Sequence, residues 1–274
     1  MRAHEGNIAT SMTRISNLIA ELPQGAVVGN AWLEQRSVSR DLAKHYVRSG
    51  WLQRVGVGGY AASRGKPTWQ GAIWGLQQVK APVWPGGITA LAMQGYSQNV
   101  GFGAGGYGSG SFGRGPQVTL FSEPKFQLPA WFKRRDWGPE VSLHRASPFV
   151  EDVSDVAWQM VDWQDQQLKV SCPEQAAIEL ASLVRDEHSF EQLQHAMESL
   201  LTLRPKRMNR LLAACRSVKA SRLVLLLGEY YKHPWTERLD RDQLNLGSGK
   251  RQLWAGGAMH PQYGITVSRS LLHG

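Results

Sequence analysis

Between residues 26 and 63 the hydrophobic spacing switches from helical to strand-like, which restricts the possible folds more than any other feature of the chain. Ahead of the switch, Ile15, Leu18, Ile19 and Leu22 lie at helical spacing, and Pro23 with Gly25 stop that segment, giving a first helix. A short apolar run at 26–28 leads through Asn30, the expected N-cap, into AWLEQR, a second helix. After a turn at Arg36 and Ser37, residues 38–49 place Leu42, Ala43, Tyr46 and Val47 on one face. Arg40, Asp41, Lys44, His45 and Arg48 turn outward. Gly50 ends this third helix, and WLQRV and GYAAS are short strands joined by a glycine-rich turn at 56–59. The product is a winged helix-turn-helix domain, placed at residues 1–64.

The rest, 65–274, reads as a mixed α/β domain, so the whole chain is α+β. Thr68 caps WQGAIWGLQQVK, and ITALAMQGY follows Gly86 and Gly87, with glycines that imply close helix packing. In the stretch 99–115, 8 of 17 residues are glycine, which marks a flexible loop unable to bury a core. QVTLFS, EVSLHR, QQLKVS and GITVSR have strand character and predict a sheet assembled from segments distant in sequence. Ser171 with Glu174, and Ser189 with Gln192, predict capping boxes ahead of two helices. Pro205 opens a third, with Met208, Leu211, Leu212 and Cys215 on one stripe and Lys206, Arg207 and Arg210 free. A fourth carries Leu223, Leu226, Leu227 and Tyr230 and ends before His233.

The net charge of +9 is concentrated at the two ends. Residues 1–80 carry +6, residues 81–167 carry −2 and residues 168–274 carry +5. A polyanion is the first partner such a distribution implies, because Lys and Arg that neutralise phosphates release condensed counterions. The two cysteines, Cys172 and Cys215, belong to no CxxC or Cys/His cluster, so neither a disulfide framework nor a zinc site is expected. The N-terminus has no apolar signal region and the longest aliphatic run is 223–227, far short of the ~20 residues of a membrane span. A reducing cytoplasmic location without membrane association is expected.

In a winged helix the start of the last helix enters the major groove while the wing touches the backbone. That makes Arg36, Ser37, Ser39, Arg40, Lys44 and His45 candidate DNA contacts, with Arg40 the best base reader because a guanidinium can bond guanine O6 and N7 together. Lys44, Arg48 and Arg54 are assigned to phosphates. The basic cluster Lys206, Arg207 and Arg210 is a possible second surface for DNA or an acidic partner. The same charges on a winged helix used only for protein contacts would be merely solvated.

Catalytic readings fare worse. Two formal GxGxxG matches inside 99–115 lack the preceding strand, following helix and acidic residue of a dinucleotide site. Glu123 and Lys125 resemble half of a metal-dependent nuclease site, but no Asp lies between Asp41 and Asp136 to complete it, so a strand-end turn is expected. His188, His195, His233 and His260 lack metal-ligand spacing and, like Asp240 and Asp242, read as surface or capping residues. No metal, no cofactor and no catalytic residue is expected.

The order of parts resembles the AbiEi-type antitoxins of type IV toxin–antitoxin systems. The resemblance is carried by SVSRDLAKHYVRSGWLQRVGVGGYAA, GGITALAMQGY, LPAWFK, LKVSCPEQAAIELASL, the run from SFEQLQHAMESL to GEYYKHPW, and LNLGSGKRQLWAGGAMHPQYGITV. Together these cover most of residues 20–270, and the expanded glycine loop at 99–115 is the departure from the family pattern. The resemblance implies an antitoxin that represses its own promoter from inverted repeats, as a monomer in solution or a cooperative dimer on DNA. It also implies that the chain counteracts a neighbouring AbiEii-type nucleotidyltransferase toxin, with or without direct contact. The competing readings are a winged-helix regulator whose C-terminal domain senses a ligand or protein, and a metal-dependent nuclease.

Overall fold

The computed structural model of the chain describes residues 15–96, 102–103, 106–107 and 117–272. These divide into two units. The first is built from the described residues up to Val83 together with Lys125–Gly138 and Met160–Leu168; the second takes Trp84–Pro124, Pro139–Gln159 and the chain from Lys169 onward.

In the first unit, helix α1 at 15–20 buries Ile15 and Leu18, and Leu22 continues the same stripe. Strand β1 (Val28–Gly29) and helices α2 (Asn30–Glu34) and α3 (Arg40–Arg48) follow, then strands β2 (Leu52–Gly56) and β3 (Gly59–Ala62). The antiparallel sheet has the order β1-β3-β2. Gly50, at φ +77°, closes α3 as expected, and the strands turn at Val57 and Gly58. Asn30 does not cap α2: Gly29 occupies the N-cap and Asn30 is the first helical residue. Helix α4 (Trp69–Gln78) is capped by Thr68, whose hydroxyl accepts from the Gly71 amide at 3.1 Å. Its glycines do pack closely, since a Cβ on Gly71 would meet Gly25 O at 2.1 Å and one on Gly75 would meet Val27 O at 1.9 Å. The same unit takes in helix α6 (Ala130–Lys133).

The strands that follow β3 do not join into one sheet. Strands β4 (Val83–Pro85), β7 (Gln117–Ser122) and β8 (Glu140–His144) form a three-stranded sheet in which β7 and β8 run parallel. Strands β9 (Trp158–Trp163) and β10 (Gln166–Ser171) form a hairpin, and β11 (Ala258–Met259) pairs with β12 (Thr266–Val267). Within the glycine-rich stretch only β5 (Phe102–Gly103) and β6 (Gly106–Tyr107) are described, paired antiparallel; the two GxGxxG matches lie largely outside the described residues. After β7, Pro124 and Lys125 form the expected turn.

Helix α7 (Pro173–Leu183) is buried from Glu174 to Ala181, with α5 (Gly87–Met93) and α10 (Val218–Tyr230) packed against it. Its N-cap is Cys172, whose sulfur accepts from the Gln175 amide; Ser171 turns inward and donates to Glu179 instead. Helix α8 (Glu187–Glu198) likewise starts earlier than expected: Asp186 is the N-cap and Ser189 completes the capping box from the N3 position. In both cases the sequence offered more than one capping residue, and tertiary burial or the position of the first turn decided among them.

Pro205 does open α9 (Pro205–Ala213), which buries Met208, Leu211 and Leu212. Tyr230 is not part of the buried face of α10, being 38% exposed. His233 departs from the surface reading: it is buried, and Met197 O lies 2.7 Å from its Nε2.

One buried carboxylate organises this core. Glu179 accepts from Trp84 Nε1 (3.0 Å), the Gly87 amide (2.8 Å), Gln175 Nε2 (2.8 Å) and Ser171 Oγ (2.9 Å). Helix α5 has no side-chain cap of its own, so this carboxylate from α7 serves its first turn. Gly86 leaves the space it needs, because a Cβ there would stand 2.4 Å from Glu179 Oε2. Burial raises the Glu179 carboxyl above the usual range, while the four bonds act in the opposite direction.

Candidate nucleic-acid interface

Helix α3 begins where it does because Ser39 Oγ accepts from the Leu42 amide at 3.2 Å. Asp41 in the first turn and His45 with Arg48 in the last turn complement the helix dipole. Ala43 and Tyr46 are buried and Leu42 and Val47 half-buried, so the helix is fixed on its inner face against α2 and β2. Its outer face is Arg40, Asp41, Lys44, His45 and Arg48, all exposed. Arg40, Lys44 and Arg48 recur every fourth position and form one cationic stripe. Ser37 and Ser39 are exposed at the end where the stripe starts, with Ser37 in the left-handed region at φ +58°, where it turns the chain from α2 to α3. Arg54 is exposed midway along β2, opposite Tyr60, and Val57 at the hairpin tip is 73% exposed.

Several of these cations already have partners. Arg40 Nε lies 3.6 Å from Glu34, and Lys44 Nζ donates to Asp41 at 2.9 Å. The Lys44 bond is the largest influence holding the Asp41 carboxyl below its usual range. Pairs this exposed are screened by solvent and contribute little, so an incoming phosphate exchanges for the carboxylate at little cost. Arg36 is different. Its guanidinium carbon sits 3.7 Å from the centre of the buried Trp32 ring and its Nε donates to Glu21 at 2.5 Å, ties that fasten α2 to the end of α1.

The hairpin beside α3 rests on Trp131 of α6. A Cβ on Gly59 would stand 2.6 Å from Trp131 Cγ, and one on Gly56 would stand 3.0 Å from Trp131 Cα and Cβ. Trp131 is buried, so the wing rests on a tryptophan supplied by a segment some seventy residues downstream, roughly 1.5–3 kcal/mol of apolar burial. Sequence reasoning missed this support. The only signal was a pair of glycines in the wing and an unassigned tryptophan in LPAWFK.

The second basic cluster is less available than its spacing implied. Arg207 and Arg210 are not free: Arg207 lies 3.8 Å from the buried Glu174 carboxylate, and Arg210 pairs with Glu151 and donates to Asp152 O at 3.1 Å. Lys206 is exposed.

Among the described residues no group of His, Cys, Asp and Glu is placed to hold a metal ion. Burial pushes the Cys172 thiol up to about 12, which removes it as a thiolate nucleophile near neutral pH. No helix among the described residues is long and apolar enough to cross a membrane.

Comparison with known proteins bears on this arrangement. The crystal structure of the Rv2827c protein from Mycobacterium tuberculosis is similar in fold, with a TM-score of 0.57 at 18% identity, covering 93% of this chain and 90% of that one. No curated protein matches. The family model described as the AbiEi antitoxin N-terminal domain, a transcriptional regulator, matches residues 11–102, which contain α2, α3 and the wing. The model described as "Transcriptional regulator, AbiEi antitoxin, Type IV TA system" matches residues 115–268, more than half of the chain. The chain therefore belongs to the AbiEi antitoxin family, the transcriptional regulators of type IV toxin–antitoxin systems.

Proposed function

We propose that this protein is a non-enzymatic autorepressor and antitoxin, which binds inverted repeats in its own promoter and counteracts a nucleotidyltransferase toxin of the AbiEii type. The observation that supports the DNA-binding half is the exposed stripe of Arg40, Lys44 and Arg48 on a helix whose opposite face is buried, with the Arg54-bearing wing beside it. Arg40, Ser37, Ser39 and His45 face base edges in this reading, and Lys44, Arg48 and Arg54 meet phosphates. Arg36 acts by anchoring α2. Lys206, Arg207 and Arg210 extend the footprint or receive the toxin, with Lys206 the first to reach a partner. The protein is monomeric in solution and pairs cooperatively on the two half-sites.

A titration of the purified protein on the DNA upstream of its own gene, at two salt concentrations and beside scrambled DNA of equal length, tests this. Specific, salt-sensitive binding is expected; equal binding to both DNAs would make α3 a protein-contact helix. Co-expression with the adjacent toxin gene, with growth as the readout, tests the antitoxin half.

A further inference from the structure

The second unit contains a buried cation with no carboxylate partner among the described residues. Arg222, on α10, is 5% exposed and among the described residues bonds only to backbone: Leu246 O (2.7 Å), Gly249 O (2.8 Å), Gly247 O (3.1 Å) and Gly264 O (3.4 Å). Among the described residues no carboxylate pairs with Arg222, nor with Lys250 or Arg251, the exposed residues that follow in the same loop. Buried charges are ordinarily paired. Here three cationic side chains converge on one loop; burial lowers the proton affinity of Arg222, and the proximity of Arg251 lowers it further.

The clamp also orients the loop's amides. In a trans peptide the carbonyl and the following N–H point in opposite directions. Turning the carbonyls of Gly247 and Gly249 onto the guanidinium therefore turns the Ser248 and Lys250 amides away from it. Neither donates to any described residue, whereas the Gly247 amide is taken by Asn245 Oδ1 at 3.1 Å. Gly247 (φ +56°) and Gly249 (φ +81°) are left-handed, a local geometry that gathers amides into an anion-binding concavity. Nothing lies within 4 Å of the position a Cβ would take on Gly249, so the loop is open to an approaching group.

We infer that the loop Gly247-Ser248-Gly249-Lys250-Arg251 is a phosphate-binding site, in which the Ser248 and Lys250 amides and the Lys250 and Arg251 side chains hold the oxygens of a phosphoryl group. A phosphate on the DNA backbone and a free phosphate compound present the same chemistry to it. Only the DNA source rests on the function proposed above.

Backbone amide NMR on the full chain, titrated first with pyrophosphate and separately with promoter DNA, tests the assignment. Saturable shifts of the Ser248 and Lys250 amides are expected with pyrophosphate, and K250A/R251A, which changes only exposed side chains, should weaken that response roughly tenfold or more. Shifts with pyrophosphate alone identify free phosphate compounds as the source; shifts with DNA as well identify the backbone. Amides that stay unmoved by both ligands, or that respond identically in K250A/R251A, overturn the inference. Pyrophosphate reads the loop whether or not α3 binds DNA, so the two failures are distinguishable.

Discussion

Trp131 lies against the backbone of Gly59, so close that a methyl group on Gly59 would stand 2.6 Å from the indole Cγ. Gly59 is not among the left-handed glycines, and its identity is set by that contact alone. Gly59→Ala should destabilise the first unit by about 1–3 kcal/mol through overpacking. Thermal denaturation checks this, and an unchanged midpoint would mean that Trp131 moves aside without penalty.

The cationic stripe on α3 makes opposite predictions for neighbouring residues. Arg40→Ala should weaken promoter binding and relax sequence preference, losing roughly 1–3 kcal/mol of discrimination at one base pair. Asp41→Asn should tighten binding several-fold, because it removes the carboxylate that now holds Lys44. Titrations at fixed salt decide both, and weaker binding by the Asp41 variant would place that carboxylate in contact with a base instead.

On α9 the structure separates two adjacent residues. Arg207→Ala should cost about 1–2 kcal/mol of stability, since Glu174 stays buried without its cation. Lys206→Ala should leave stability unchanged and reduce the salt dependence of DNA binding if this helix meets phosphates. Denaturant midpoints alongside salt titrations measure the two effects.

Glu179 predicts a pH dependence. Its folded carboxyl is raised above the ordinary value of 4.5 by burial, so the stability it contributes is complete below that value and declines as pH rises through the raised one. Glu179→Gln should flatten this dependence. It should also cost about 1–3 kcal/mol, because an amide nitrogen in place of Oε2 cannot accept from the Gly87 amide. Denaturation midpoints of both proteins between pH 4 and 8 provide the comparison.

The winged helix was legible because every one of its signals is local. The spacing of Leu42, Ala43, Tyr46 and Val47, the stop at Gly50 and the alternation in β2 and β3 each act over a few residues. The start of α9 at Pro205 was legible for the same reason. The capping residues of α7 and α8 were not. Ser171 and Ser189 both satisfy the local rule, but Ser171 is drawn inward to Glu179 and Asp186 stands one turn ahead of the expected start.

By itself, then, the sequence determined the helix-turn-helix, the outward face of α3 and the basic ends of the chain, since periodicity and charge need no distant partner to be read. Tertiary structure alone decided that the predicted strands separate into small sheets, that Trp131 supports the wing, that Arg207 and Arg210 are engaged, and that Arg222 gathers the carbonyls of a loop more than twenty residues away. Each of these depends on a contact between segments far apart along the chain, and the partner in such a contact is chosen by packing and by the need to satisfy buried polar groups.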